Sequence, residues 1–186
     1  MSITGIGIIG AVAVVIIVIL LYNSLVVKRN NVDNAFACID TQLKKRFDLI
    51  PNLVAAVKEY MRHESSTLTQ ITELRAKAMS SASASEKMAY SDQAAGLMRN
   101  IMVQAENYPD LKAGANFLQL QRSLNEIEEQ LSAARRTFNA AVTEYNNAIQ
   151  CFPWNIFAAI LGFRARELFS VSEAERQNPN VKDLFR

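Results

Sequence analysis

From Met1 to Val27 the chain contains no Asp, Glu, Lys, Arg or His. The centre of that run, Ile8-Ile9-Gly10-Ala11-Val12-Ala13-Val14-Val15-Ile16-Ile17-Val18-Ile19-Leu20-Leu21, is apolar on every side. A helix that is apolar all round is at home only in a protein core or in lipid. A bilayer's hydrocarbon layer of about 30 Å is crossed by roughly 20 such residues. Tyr22 falls where an interfacial aromatic belongs, and Lys28-Arg29 close the run with the first charges. The expectation is an uncleaved transmembrane anchor over residues 1–27. A secretory signal peptide has its positive charge first, then a shorter apolar stretch, then a cleavage site. Here the positive charge comes afterwards, and only Ala11-Val12-Ala13 resembles a cleavage site, deep inside the run.

Positive residues close to a membrane are retained on its cytoplasmic side. Lys28 and Arg29, then Lys44-Lys45-Arg46, follow the anchor, and no charged side chain precedes it. The N-terminus is therefore expected outside and the long domain in the cytoplasm. The formal charge of +2 is small and mixed in sign, which offers nothing to nucleic acid. The two cysteines, Cys38 and Cys151, are too distant in sequence for a disulfide framework, and one histidine leaves no soft-metal site to build. Beyond the anchor the chain is rich in Ala, Leu, Gln, Glu, Lys and Arg, all good helix formers. The fold class is all-α: an N-terminal transmembrane helix continuing into a long antiparallel bundle of three long helices plus a short C-terminal helix. The domain is expected over 28–169, with a loosely ordered tail over 170–186.

After the anchor the pattern becomes amphipathic. Val32, Phe36, Ile39, Leu43, Phe47, Ile50, Val54, Val57 and Met61 recur at spacings of three and four, with Arg46 standing at the strict position beside Phe47. Pro51 removes a backbone hydrogen bond and clashes with the preceding turn, so a kink is expected there. The stripe resumes with Leu68, Ile71, Leu74 and Ala78, which predicts one helix to about Met79. Ser80 to Ser85 reads as a linker, and Ser83 with Glu86 has capping-box spacing for a second helix to about Glu106. Asn107-Tyr108-Pro109-Asp110 is a turn. Phe117, Leu120, Leu124, Ile127, Leu131, Ala134, Phe138, Ala141, Tyr145, Ala148 and Phe152 then keep a strict three–four alternation. That seam belongs inside this domain's own bundle or in a coiled coil between chains. The charges Glu126, Glu128, Glu129, Arg135 and Arg136 read as a solvated face.

No motif carries chemistry. Gly5-Ile6-Gly7-Ile8-Ile9-Gly10 matches G-x-G-x-x-G, but that fingerprint needs a strand before it and a βαβ unit around it. Gly7 and Ala11 offer instead a notch for close helix approach. His63-Glu64 starts like H-E-x-x-H, yet Thr67 fills the second ligand position. No catalytic, cofactor-binding or metal-ligating residue is assigned.

One apolar element is left over. Trp154, Ile156, Phe157, Ile160, Leu161 and Phe163 form a candidate interaction patch, followed by Arg164 and Arg166. It is too short to span a bilayer. It can cap the bundle, meet a neighbouring subunit or lie on a membrane. With three passes the last long helix ends far from the anchor, and the patch is then expected away from this molecule's own membrane.

The run Leu25-Val26-Val27-Lys28-Arg29-Asn30-Asn31-Val32, with Ile39-Asp40-Thr41-Gln42-Leu43-Lys44-Lys45-Arg46-Phe47-Asp48-Leu49-Ile50-Pro51-Asn52-Leu53-Val54, resembles the LemA family. So do His63-Glu64, Tyr108-Pro109-Asp110-Leu111-Lys112, Asn116-Phe117-Leu118-Gln119-Leu120-Gln121, Tyr145-Asn146 and Phe152-Pro153. The likeness covers about residues 20–165 and fades after Phe169. It implies a single-pass protein of the bacterial inner membrane with a soluble domain of long antiparallel helices. No enzymatic activity, cofactor or catalytic residue is carried over. The expected function is a self-assembling membrane scaffold that presents a helical surface to partners, the homo-oligomer and membrane lipids first among them. An accessory subunit of a membrane-envelope enzyme or protease, and a membrane-remodelling protein, are the alternatives. No small-molecule substrate is expected.

Overall fold

The computed structural model describes residues 3–61, 65–81 and 84–169. His63, Glu64, Ser83 and the tail 170–186 lie outside them. Among the described residues every regular element is helical: α1 (Ile3–Val57), α2 (Ser65–Ser80), α3 (Ala84–Gln104), α4 (Pro109–Ala113), α5 (Ala115–Gln150) and α6 (Trp154–Ile160), with one 3-10 turn at Ala105–Asn107. The all-α expectation holds. So does a helix that runs unbroken from the apolar segment into the amphipathic stripe and across Pro51.

The expected first helix to Met79 is wrong. Alpha-helix geometry ends at Val57, where Tyr60 and Met61 both donate their amides to the Val57 carbonyl, and α2 begins afresh at Ser65. Nothing in Lys58-Glu59-Tyr60-Met61 announces a stop, since no glycine or proline is present. Met61 and Leu68 are seven apart, so the heptad register is kept, yet both are buried because the chain reverses between them. The local signal for a new start is Ser65-Ser66-Thr67, whose short hydroxyl side chains favour a helix start over its interior.

Two compact units make up the chain. One is Asn34–Arg135; the other joins Met1–Asp33 to Arg136–Arg186, so α1 and α5 contribute to both. Within Asn34–Arg135 the elements pass up, down, up and down: α1, α2, α3 and the first part of α5. Arg75 of α2 reaches Phe47 of α1, Lys87 and Ser91 of α3 meet Asp40 and Arg46 of α1, and Glu128 of α5 meets Arg46. The interior is the expected stripe, Ile39, Leu43, Phe47, Ile50 and Val57, except that Ala35 and Leu53 are buried where Phe36 and Val54 are expected. Ile71, Leu74, Ala78, Met98, Ile101, Leu120, Leu124, Ile127 and Leu131 complete it. Each fully buried Leu or Ile adds about 1.5–3 kcal/mol of apolar transfer. The α5 seam from Phe117 to Tyr145 is thus covered by its own chain, whereas Phe152, expected at its end, stands exposed.

The expected kink residue has a partner for the bond it lacks. Pro51 has no amide to give the carbonyl four residues back, that of Phe47. Arg75 Nε donates to this Phe47 oxygen at 3.0 Å. A carbonyl freed on one helix is satisfied by the guanidinium of the next.

Candidate functional site

A buried charged side chain, Arg46, lies in the Asn34–Arg135 unit, and its partner Glu128 stands half-exposed on the face expected to be solvated. Arg46 occupies a heptad position, so the helix turns it inward, and its side chain is 2% exposed. Ser91, wholly buried on α3, makes room; Arg46 Nη1 donates to its hydroxyl at 2.6 Å and its carbonyl at 3.3 Å. Arg46 Nη2 pairs with Glu128 of α5. Nearby, Arg135 Nη2 meets Asp92 Oδ1 at 2.6 Å. Burial lowers the pKa of Arg46, and Glu128 pulls it back up. Arginine stays protonated at physiological pH regardless. The Arg46 guanidinium therefore holds a fixed charge. Among the described residues no group of three or more His, Cys, Asp or Glu side chains is placed to hold a metal ion.

An open groove of about 910 Å³ runs between the end of α1 and α2, lined by Val54, Met61, Leu68 and Thr72 among others. Its wall is mostly apolar, and Lys58, Glu59 and Glu73 also line it.

The other unit gathers the sequence-predicted membrane-boundary residues with the candidate patch. The apolar run is a helix that the fold leaves bare: Ile8, Ile9, Val12, Val14 to Ile17, Ile19 and Leu20 are all exposed. Cover begins at Leu21 and is complete at Leu25. Tyr22 meets the ring of Phe163 edge-on, centroids 6.4 Å apart, and Arg29 lies 5.5 Å over the same ring. Lys28 pairs with Glu144, and Arg166 approaches Asp33 at 3.5 Å.

Local sequence delivers Phe163 to that place. Alpha6 ends in a turn where Leu161 bonds to the Phe157 carbonyl and Phe163 to that of Ala158. The closing residue, Gly162, has φ +73°, a left-handed conformation that a β-carbon disfavours. After it the chain runs extended along α5, held by side-chain amides. Asn146 exchanges two bonds with the backbone of Arg166 (2.8 and 2.9 Å), and Asn139 does the same with Phe169 (3.0 and 2.9 Å). Tyr145, itself buried, donates to the Arg164 carbonyl at 3.0 Å. The Tyr145-Asn146 pair of the sequence signature is thus a tether for this strap.

Of the candidate patch, Ile156, Ile160 and Leu161 stand exposed, and Trp154, Phe157 and Phe163 are half-buried. The expectation that it stands away from the anchor is overturned by Phe163 on Tyr22 and Arg29. The physical reason is parity. The reversal between Val57 and Ser65 adds a pass, and an even number of passes brings the chain back to the side it started from.

A model of the LemA family matches residues 35–182, beginning past the apolar run and reaching further into the tail than the motif likeness does. The chain belongs to the LemA family. Protein LemA of Metamycoplasma hominis is 27% identical over 163 residues, which is 87% of this chain and 74% of the relative. Magnetosome protein MamQ 2 of Paramagnetospirillum magneticum is 34% identical over 74 residues, 40% of this chain and 27% of the relative. Magnetosome protein MamQ of Magnetospirillum gryphiswaldense is 33% identical over 69 residues, 37% of this chain and 25% of its own. The similarity to the LemA protein spans most of both chains, whereas the magnetosome proteins share about a quarter of their length with it. A bare apolar helix in a LemA-family chain marks a membrane-associated protein.

Proposed function

We propose that this LemA-family chain is a non-enzymatic scaffold, tethered to the bacterial inner membrane by the apolar part of α1, that assembles with itself and offers its polar helix faces to partners. The N-terminus lies outside and the helical domain in the cytoplasm, as Lys28 and Arg29 direct. The observation that carries the reading is the contrast along one continuous helix. Its residues from Ile8 to Leu20 are exposed, while Leu25, Ile39, Leu43 and Ile50 are buried. Such a helix has two solvents, and the first is lipid.

Self-assembly is assigned to the lipid-embedded segment, because the α5 seam is already occupied within the chain. Full-length protein in mild detergent is expected to scatter light as a multimer; a strictly monomeric particle overturns self-assembly. Crosslinking in native membranes is expected to give self-adducts first. A single dominant foreign adduct would replace the scaffold with an accessory subunit.

A further inference from the structure

Among the described residues of the Met1–Asp33 and Arg136–Arg186 unit, two clusters of exposed apolar side chains stand out. One is the run Ile8–Leu20; the other is Phe152, 77% exposed, with Ile156, Ile160 (75%) and Leu161. They are not independent. Phe163 touches Tyr22, the residue that ends the apolar run, and is bonded back to Ala158 in α6 at 3.0 Å. Ile160 and Leu161 are within three residues of Phe163, so chain reach keeps them within about 10 Å of it. The strap beyond Phe163 continues to Arg166, at Asp33, so it leads away from the apolar run while α6 stays at its end. Around the junction stand Arg29, over the Phe163 ring, and Lys28 and Arg166, paired with Glu144 and Asp33, long basic side chains of the kind that lie among lipid headgroups.

We infer that the exposed face of α6, with Phe152 and Leu161, lies in the interfacial layer of the bilayer that α1 enters. It is a second lipid contact beside the span and shallower than it. This rests on the anchor reading above. The occupant is lipid because the patch adjoins the last residues of a segment whose own surroundings are lipid, and because a short apolar helix with basic neighbours fits the boundary between headgroups and acyl chains. A surface facing only water gains nothing from large exposed apolar side chains clustered this closely.

Trp154 is the sole tryptophan of the chain and sits at the start of α6, so the native protein reports on its own depth. Full-length protein is reconstituted in phosphatidylcholine–phosphatidylglycerol vesicles whose lipids carry bromine either high on the acyl chain or near its end. Shallow bromine is expected to quench Trp154 about twofold more than deep bromine, as for an indole at headgroup level. The I156D/I160D variant, altered only at exposed positions, is expected to lose most of that quenching while circular dichroism and resistance to carbonate extraction are retained. Unquenched Trp154 in protein that resists carbonate overturns this inference and leaves the anchor intact. Protein that carbonate removes overturns the anchor reading itself. Blue-shifted but unquenched emission from a multimer assigns the patch to a second copy of the chain, which also overturns the proposal.

Discussion

The two units answer the same question, where apolar surface goes, in opposite ways. Asn34–Arg135 covers its apolar stripe so thoroughly that a guanidinium is trapped inside it, and the helices there must supply that charge with partners. The unit of Met1–Asp33 with Arg136–Arg186 leaves Ile8 to Leu20, and then Phe152, Ile156 and Ile160, uncovered. It puts its hydrogen bonds into a strap outside any helix. A fold that buries its apolar stripe in one part and leaves a run of large aliphatics open in another is built for two solvents.

The sharpest way to break the contrast is at Arg46. Removing one member of a buried pair typically costs about 3–5 kcal/mol, whereas a well-packed apolar replacement of similar volume is close to neutral. R46A is expected to lie at the lower end of that range, since Glu128 is half-exposed and finds water once its partner is gone. R46M, which fills the space without a charge, is expected to be neutral or stabilising. Urea denaturation of the two variants decides the matter. If R46M is as damaging as R46A, the charge itself is needed and Arg46 has a role beyond packing.

The mirror experiment places an arginine where the other unit has none. Ile16→Arg puts a charge in the middle of the apolar run, at a residue that the fold leaves exposed. Arginine at the centre of a membrane-spanning helix costs about 2.5–3.5 kcal/mol on insertion scales. I16R is therefore expected to shift much of the protein into the carbonate-soluble fraction while the thermal unfolding of the domain is unchanged. An arginine tolerated at position 46 and rejected at 16 would show that partner groups, not apolar surroundings as such, decide the outcome.

The helical class, the anchor-like run and the α5 seam were legible because they depend on local composition and on a single period. Arg46 was half-legible: the heptad put it on the inner face, while no spacing marked Glu128, on the exposed face of α5, as its partner. The strap from Gly162 to Phe169 was not legible, since its bonds join Asn139 and Asn146 to backbone that no periodicity marks. The reversal after Val57 was hidden by a heptad that stays in phase across it. That one turn decides on which side the candidate patch ends up.

Arg75 and Pro51 permit a finer cut inside the well-covered unit. R75M leaves the Phe47 carbonyl without the donor that Pro51 withholds, and an orphaned buried acceptor costs about 1–3 kcal/mol. In a P51A background the helix supplies its own amide to that carbonyl, so the cost of R75M is expected to shrink by about 1 kcal/mol, the size of one net hydrogen bond. A double-mutant cycle by denaturant unfolding measures the difference directly. Strictly additive effects would mean that Arg75 acts through packing alone.

The smallest effect lies at the strap. Y145F deletes the hydrogen bond to the Arg164 carbonyl and is expected to cost about 1 kcal/mol, with faster amide exchange over the strap as the local sign. Its pH dependence separates this bond from general packing. Burial raises the pKa of the Tyr145 hydroxyl above its ordinary 10.0, with Arg166 and Arg29 acting the other way. A raised acid is favoured in its neutral form by the fold, so its contribution is complete below pH about 10, where the unfolded tyrosine is still protonated, and is lost as pH climbs through the folded value. Wild-type stability is thus expected to fall more steeply than that of Y145F on the alkaline side, and the two curves to run parallel below it. Curves that stay parallel throughout would mean that Tyr145 ionises as freely in the fold as in the unfolded chain, and that the strap is held by Asn139 and Asn146 alone.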